Sequence, residues 1–381
     1  MPWDKARRRI GRGQYDRALD IAEFVLLTGL KLMEADNGSL SYTIDAALET
    51  IGLAAKAFAE SGVPREEWVQ RILKTAQNPV FDDWEDWRLD FLERATVLAD
   101  AKNENEFERI LLYFSDRRWE NFKDADRYLE KDFLIHYRIV CAVRGEAAGR
   151  AFLEKNVIID KFRLMLVQEY MEEGNYAGAE QLCQERIERE EAKLWRASNQ
   201  WDGLLYEVYR DWRQREKQTG QARKLALLGE MDFYQITKEL LLADGQWQKE
   251  YPQFLAELKA ALPAGKYMEI LSQEGEVALL MEQVRVYRDA VFQYGGILAV
   301  QYGEEIHTMC VAAIRQVAKH WLNNRKDYQT VCGLLRKLVE FGGIAEAKSV
   351  IHELQQAYPR RKALWEELEQ VECAIEKKQG S

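Results

Sequence analysis

Proline, cysteine, histidine and long apolar runs are all scarce in this sequence, and each scarcity removes a class of protein. Six prolines among 381 residues leave long stretches free of helix breakers. The five cysteines, Cys141, Cys183, Cys310, Cys332 and Cys373, are odd in number and widely scattered. That excludes a disulfide framework and a zinc knuckle, and it points to a reducing, cytoplasmic setting. No apolar run reaches the roughly 18 residues of a membrane span. The opening Met1, Pro2, Trp3 and Asp4, followed by arginines, lacks the apolar stretch of a secretory signal. A basic excess is missing as well: 54 Lys and Arg against 64 Asp and Glu give a net charge of −10, so the molecule as a whole repels polyanions. Contact with nucleic acid therefore requires a local patch. The candidate is Lys5, Arg7, Arg8, Arg9 and Arg12, a run that also reads as a solvated helix face.

Apolar residues, at 47%, are enough to fill a substantial core, and 17 tyrosines and 11 tryptophans supply bulky packing groups. From about residue 14 onward they recur at helical spacing. Tyr15, Ala18, Leu19, Ala22, Val25 and Leu26 share one face, with Asp16, Arg17 and Glu23 among the polar remainder. No segment alternates long enough for a strand, so the fold class is all-α.

A turn recurs, in which a glycine precedes a helix that opens on an aromatic or apolar residue and then an alanine. The copies are Gly13, Tyr15, Ala18; Gly174, Tyr176, Ala179; and Gly343, Ile344, Ala347. Looser versions stand at Gly145 with Ala148, Gly220 with Ala222, Gly245 with Trp247, Gly265 with Tyr267 and Gly275 with Val277. Glycine takes the left-handed conformation that ends a helix, and the small alanine lets the returning helix approach. Gly174 and Gly343 are expected to hold that conformation. One such hairpin cannot bury its own apolar face, so hairpins stack. The irregular glycine spacing departs from a strict repeat, and the expected architecture is an irregular, tetratricopeptide-like α-solenoid of stacked helix hairpins. A compact multi-helix globule is the alternative. Pro79, Asp82 and Asp83 break the helical pattern and suggest an N-terminal helical segment over 1–78 and the helical-repeat solenoid over 79–381, with a solenoid continuous through the first segment as the alternative.

Three constellations carry possible chemistry. Asp82-Asp83-Trp84-Glu85-Asp86 matches the Asp-Asp-x-x-Asp cluster with which all-helical terpenoid synthases hold magnesium against a diphosphate. The second metal motif such enzymes need is missing downstream. The simpler account has Asp82 or Asp83 capping a helix that begins near Trp84, with the other acids favouring its positive end. His307 and Cys310 share a helix face at a spacing that suits two zinc ligands, but His320 is too far along to be a third. His136 and His352 stand alone, with no Ser or Cys nucleophile at a recognisable spacing. Gly295-Gly296 and Gly342-Gly343 lack the lysine and hydroxyl of a phosphate loop.

The stretches Gly13-Gln14-Tyr15-Asp16-Arg17-Ala18-Leu19, Ala35-Asp36-Asn37-Gly38 and Asp82-Asp83-Trp84-Glu85-Asp86-Trp87-Arg88 resemble the region C-terminal to the finger in bacterial SWIM zinc-finger proteins. At the other end, Leu334-Leu335-Arg336-Lys337-Leu338, Ala345-Glu346-Ala347 and Tyr358-Pro359-Arg360-Arg361-Lys362-Ala363-Leu364 resemble that family's closing helices. The finger itself uses Cys-x-Cys followed by Cys-x-His, and no cysteines here stand that close, so no residue inherits a zinc-ligand role. The resemblance implies the helical portion of such a protein, or a relative without the finger. These readings converge on a non-catalytic scaffold for another protein, with no cofactor or metal and no membrane partner. A SWIM-type nucleic-acid-associated protein is the alternative. A magnesium-dependent lyase or synthase using Asp82, Asp83 and Asp86 is the second.

Overall fold

The computed structural model describes residues 2–33, 40–109, 125–192 and 198–379, and among them regular structure is entirely helical. Contacts divide the chain into two compact units. The first comprises Met1–Ala197 with Glu207–Trp212, and the second Ser198–Tyr206 with Arg213–Ser381.

The first unit contains α1 (Pro2–Ile10), α2 (Tyr15–Leu32), α3 (Ser41–Glu60), α4 (Glu66–Ala76), a 3₁₀ turn (Pro79–Phe81) and α5 (Glu85–Ala95). It continues with α6 (Ala125–Arg144), α7 (Glu146–Lys155), α8 (Asp160–Glu172) and α9 (Tyr176–Glu191). The stripe read from the sequence faces inward: Ala18, Leu19, Ala22 and Leu26 of α2 are buried against Ile44, Ala47, Leu48 and Ile51 of α3. Gly29 lets the two helices close, because a β-carbon there would stand 3.0 Å from Ile44 Cγ1. Phe81, Leu89, Phe91 and Leu92 enter this same core. The break at Pro79 is thus a turn inside the unit, with Asn78 Oδ1 accepting from the Val80 amide at 3.0 Å.

α10 (Gln200–Asp211) is followed in the second unit by α11 (Arg215–Leu227), α12 (Met231–Ala243), α13 (Trp247–Ala261), α14 (Ala264–Glu274) and α15 (Val277–Val286). Next come α16 (Val291–Trp321), α17 (Arg325–Glu340), α18 (Ile344–Ala357) and α19 (Lys362–Gln379). α16 kinks at Tyr302, whose φ of −123° and ψ of 33° leave the helical region. α17 opens on a reciprocal cap: Asn324 Oδ1 accepts from the Asp327 amide and Asp327 Oδ2 from the Asn324 amide. Within each unit, helices pack mainly on their neighbours in sequence. No helix among the described residues is long and apolar enough to cross a membrane.

The hairpin turns share one hydrogen-bond pattern. At Gly174, the glycine amide bonds the Met171 carbonyl at 3.1 Å and the next amide, Asn175, bonds Tyr170 at 2.7 Å, which closes a left-handed helix end. The same pair of bonds recurs at Gly13, Gly229, Gly245, Gly275 and Gly342. Each time the following helix begins two residues later.

At the last of these turns the sequence reading needs correcting. Gly343 has a φ of −76°, and it is Gly342, at +96°, that adopts the left-handed conformation. Phe341 ends α17, so the residue after it takes the reversal. Gly343 is small for another reason: a β-carbon there would collide with Leu338 and stand 3.2 Å from His307 Cδ2. With the turn assigned to Gly342, the buried alanines Ala18, Ala179 and Ala347 all fall five residues after their glycine. Two looser turns are also corrected, since Gly220 lies within α11 and Gly265 within α14.

Candidate functional site

The acidic cluster sits where α5 begins, and its capping differs from the sequence expectation. The N-cap is Trp84, with no side-chain cap bond, and neither Asp82 nor Asp83 holds that position. Asp82 instead ends the 3₁₀ turn. Its Oδ1 accepts from Arg88 Nη2 at 2.6 Å, and Arg88 Nη1 donates to Glu85 Oε2. Arg88 is 5% exposed and its guanidinium lies over the Phe81 ring. A buried arginine paired with a buried glutamate is stable only because the pair is kept together.

The other acids meet a second cation. Lys131 of α6 donates to Asp90 Oδ1 at 2.8 Å and to Asp86 Oδ1 at 3.2 Å. Burial alone pulls the Lys131 ammonium down, but the hydrogen bonds and charges of Asp90 and Asp86 outweigh it and leave its pKa above the ordinary lysine value. Between these groups lies a cleft of about 450 Å³, walled by Asp83, Trp84, Asp86, Trp87, Asp90 and Lys131. Trp84 and Trp87 meet at a centroid distance of 5.2 Å. Chemically this is an acidic, aromatic-walled cleft in which Asp86 and Asp90 already face Lys131. No three His, Cys, Asp or Glu side chains converge as a metal site among the described residues.

The basic run occupies α1 and the turn after it. Lys5, Arg7, Arg8 and Arg12 are exposed, and Arg9 is half-buried. They do not converge on one point: Arg7 Nη2 reaches Glu49 Oε2 at 2.8 Å, Arg8 bonds the Asp4 carbonyl and Arg9 bonds Gln14. Exposed pairs of this kind contribute only about 0–1 kcal/mol each, so the arginines remain available to an incoming anion.

The His307 and Cys310 pair separates on inspection. His307 Nε2 donates to the Phe341 carbonyl at 2.9 Å, and its Nδ1 lies 3.7 Å from Glu346 Oε1, so the ring clasps the turn between α17 and α18. Cys310 is fully buried, and desolvation pushes its thiol up to about 12. Cys332, likewise buried, is pushed up to about 11, also chiefly by desolvation. Thiols held protonated in this way are poor ligands and poor nucleophiles. His136 bonds the Asp132 carbonyl one turn back, and His352 meets Gln356.

The sequence reading missed Lys131, which lies far along the chain from its aspartates, and the turn at Gly229. Gly229 lacks the trailing alanine, because Tyr234 fills the buried place five residues on. Residues 35–38 of the SWIM resemblance lie outside the described residues. No family model matches the sequence, and no curated protein matches it.

Proposed function

We propose that this chain is an irregular, tetratricopeptide-like α-solenoid that acts as a non-catalytic scaffold for another protein. The observation that carries the reading is the repeated hairpin: six helices end in one hydrogen-bonded glycine turn, and a new helix starts two residues later each time. Each pair leaves an apolar face for its neighbour to cover, and stacking of that kind generates the extended surfaces on which solenoids hold partners. Small-angle scattering tests the shape. A compact chain of this length has a radius of gyration of about 21 Å, and the stacked form exceeds it clearly. A value at or below that figure for the monomer ends the solenoid reading. The scaffold reading is tested by using the full chain as bait in its source cell: a specific protein retained after nuclease treatment supports it.

A second reading, a nucleic-acid-associated protein resembling the SWIM zinc-finger family, draws on the exposed Lys5, Arg7, Arg8 and Arg12. Retained material that is nuclease-sensitive and lost steeply with salt favours it over the first.

A further inference from the structure

Arg94 lies in the last turn of α5, with its aliphatic stem packed over Gly52 of α3. Its Nε is buried and meets no acceptor, and among the described residues Arg94 makes no hydrogen bond or ion pair. A guanidinium carries five N–H donors and is always charged, so Arg94, bonded to no acceptor among the described residues, keeps its donors for a ligand. Its position at the C-terminal end of a helix favours its charge but supplies no acceptor to Nε.

Arg94 also lines a cavity of about 340 Å³, the size of a small-molecule site. The rest of the lining comes from two other helices at helical spacing. Trp3 and Arg7 project from α1, and Tyr42, Asp45 and Glu49 from α3. Trp3 and Tyr42 meet edge to face at a centroid distance of 6.2 Å, and Tyr42 is 72% exposed, so its ring is open to a ligand. Glu49 is engaged by Arg7. The cavity therefore offers an aromatic wall, an unbonded guanidinium at Arg94 and, at Asp45, a carboxylate that accepts hydrogen bonds.

We propose that this cavity binds a nucleotide, either free or as one residue of a single strand. The base lies against Trp3 and Tyr42, its exocyclic amine donates to Asp45, and the phosphate takes Arg94. Inorganic phosphate would leave the aromatic wall unused. An aromatic carboxylate would reach Arg94 but bring no donor to Asp45. A nucleotide whose base carries an amine matches all three groups, since aspartate accepts from such amines and bases stack on aromatic side chains. The flanking Lys5, Arg8 and Arg12 raise the local concentration of anions despite the negative charge of the whole chain. This site is independent of the scaffold reading.

Titration calorimetry of the full chain with CMP, UMP, inorganic phosphate and benzoate tests it. CMP is expected to bind at least about tenfold more tightly than the other three. Arg94→Met weakens CMP about tenfold or more, and Arg94→Lys restores part of the loss. Tyr42→Ala, at an exposed ring, weakens it with the circular dichroism unchanged, which guards against a folding artefact at Arg94. Lys249→Met, at an exposed position of α13 in the second unit, leaves it alone. A cytidine octanucleotide binding more tightly per nucleotide than CMP identifies the strand as the source; equal or weaker binding identifies the free nucleotide. No heat with CMP, equal affinity for UMP or for phosphate, or CMP binding that survives Arg94→Met overturns the proposal.

Discussion

The two ends of α5 are opposites in electrostatic terms. Its N-terminal end gathers Asp82, Asp83, Glu85, Asp86 and Asp90, a run that catches the eye in the sequence, yet Arg88 and Lys131 engage four of the five. Its C-terminal end carries one unremarked arginine, Arg94, which nothing among the described residues answers. A dense cluster of like charge in a sequence is thus a poor guide to unmet chemistry. What matters is whether an opposite charge is bonded to each group, and at this helix that holds for most groups at one end and not for Arg94 at the other.

The sharpest way to break this comparison is to remove the buried partner at the acidic end. Arg88→Met removes the guanidinium that donates to Glu85, whose side chain is 4% exposed. The expected loss is about 3–5 kcal/mol of unfolding free energy in a denaturant titration, because an uncompensated buried charge is costly. A loss below about 1 kcal/mol would mean that Glu85 is relieved by other contacts and that the pair is incidental.

Lys131→Met is the milder version, since Asp86 and Asp90 keep about a third of their side-chain surface in water. The expected loss is about 0.5–1 kcal/mol at neutral pH. Its pH dependence has a definite sign. The folded pKa of Lys131 lies above the ordinary 10.5, so its contribution is fully present below that value and fades as pH rises through the folded pKa. Parent and variant should therefore differ by a constant amount around neutrality and converge in strong alkali. A difference that grows with pH would reverse the assignment.

Arg94→Met should do almost nothing to stability. With no ion pair or hydrogen bond among the described residues to lose, it is expected to fall within about 0.5 kcal/mol of the parent, or to exceed it, because a buried unsatisfied donor is removed. Arg88 and Arg94 are the same residue type six positions apart on one helix, so the contrast between them measures pairing together with the deeper burial of Arg88. A destabilisation by Arg94→Met as large as that by Arg88→Met would erase the distinction.

Which of these features could be read in advance follows from how local they are. The all-α class and the turns at Gly13 and Gly174 depend on spacings of a few residues, and the buried stripe of α2 follows from its own periodicity. The assignment at Gly342-Gly343 failed because two adjacent glycines serve different needs. One reverses the chain and the other makes room for Leu338 and His307, and the second need comes partly from α16. The capping role given to Asp82 or Asp83 failed in a similar way. Arg88 draws Asp82 toward the side of the helix and leaves Trp84 at its start, and Lys131 reaches the cluster from α6, more than forty residues on. Arg94 has no local signature, because its lack of a bonded partner depends on how α1 and α3 place Arg7, Asp45 and Glu49 around the same cavity.

The smallest expected effect is that of magnesium on the acidic cluster. Mg²⁺ takes six oxygens at about 2.0–2.1 Å in a near-ideal octahedron and gives up its water reluctantly. At α5, Asp82 and Glu85 point their oxygens at Arg88, and Asp86 and Asp90 at Lys131, so a metal would first have to displace a cation held at 2.8 Å or less from a carboxylate oxygen. Millimolar Mg²⁺ should therefore shift the melting temperature of the parent by less than about 1 °C, since stabilisation by a ligand scales as RT ln(1 + [L]/Kd). A prenyl diphosphate added with the metal should neither bind nor react. Lys131→Met sharpens the test. With that ammonium gone, the repulsion between Asp86 and Asp90 is less offset and a divalent cation gains by binding there, so a measurable Mg²⁺ shift should appear in the variant alone. A shift of several degrees in the parent, accompanied by calorimetric binding of the metal-diphosphate pair that disappears in Asp82→Asn, Asp83→Asn, would show that the cluster binds metal in spite of Arg88 and Lys131 and would return the synthase reading to first place.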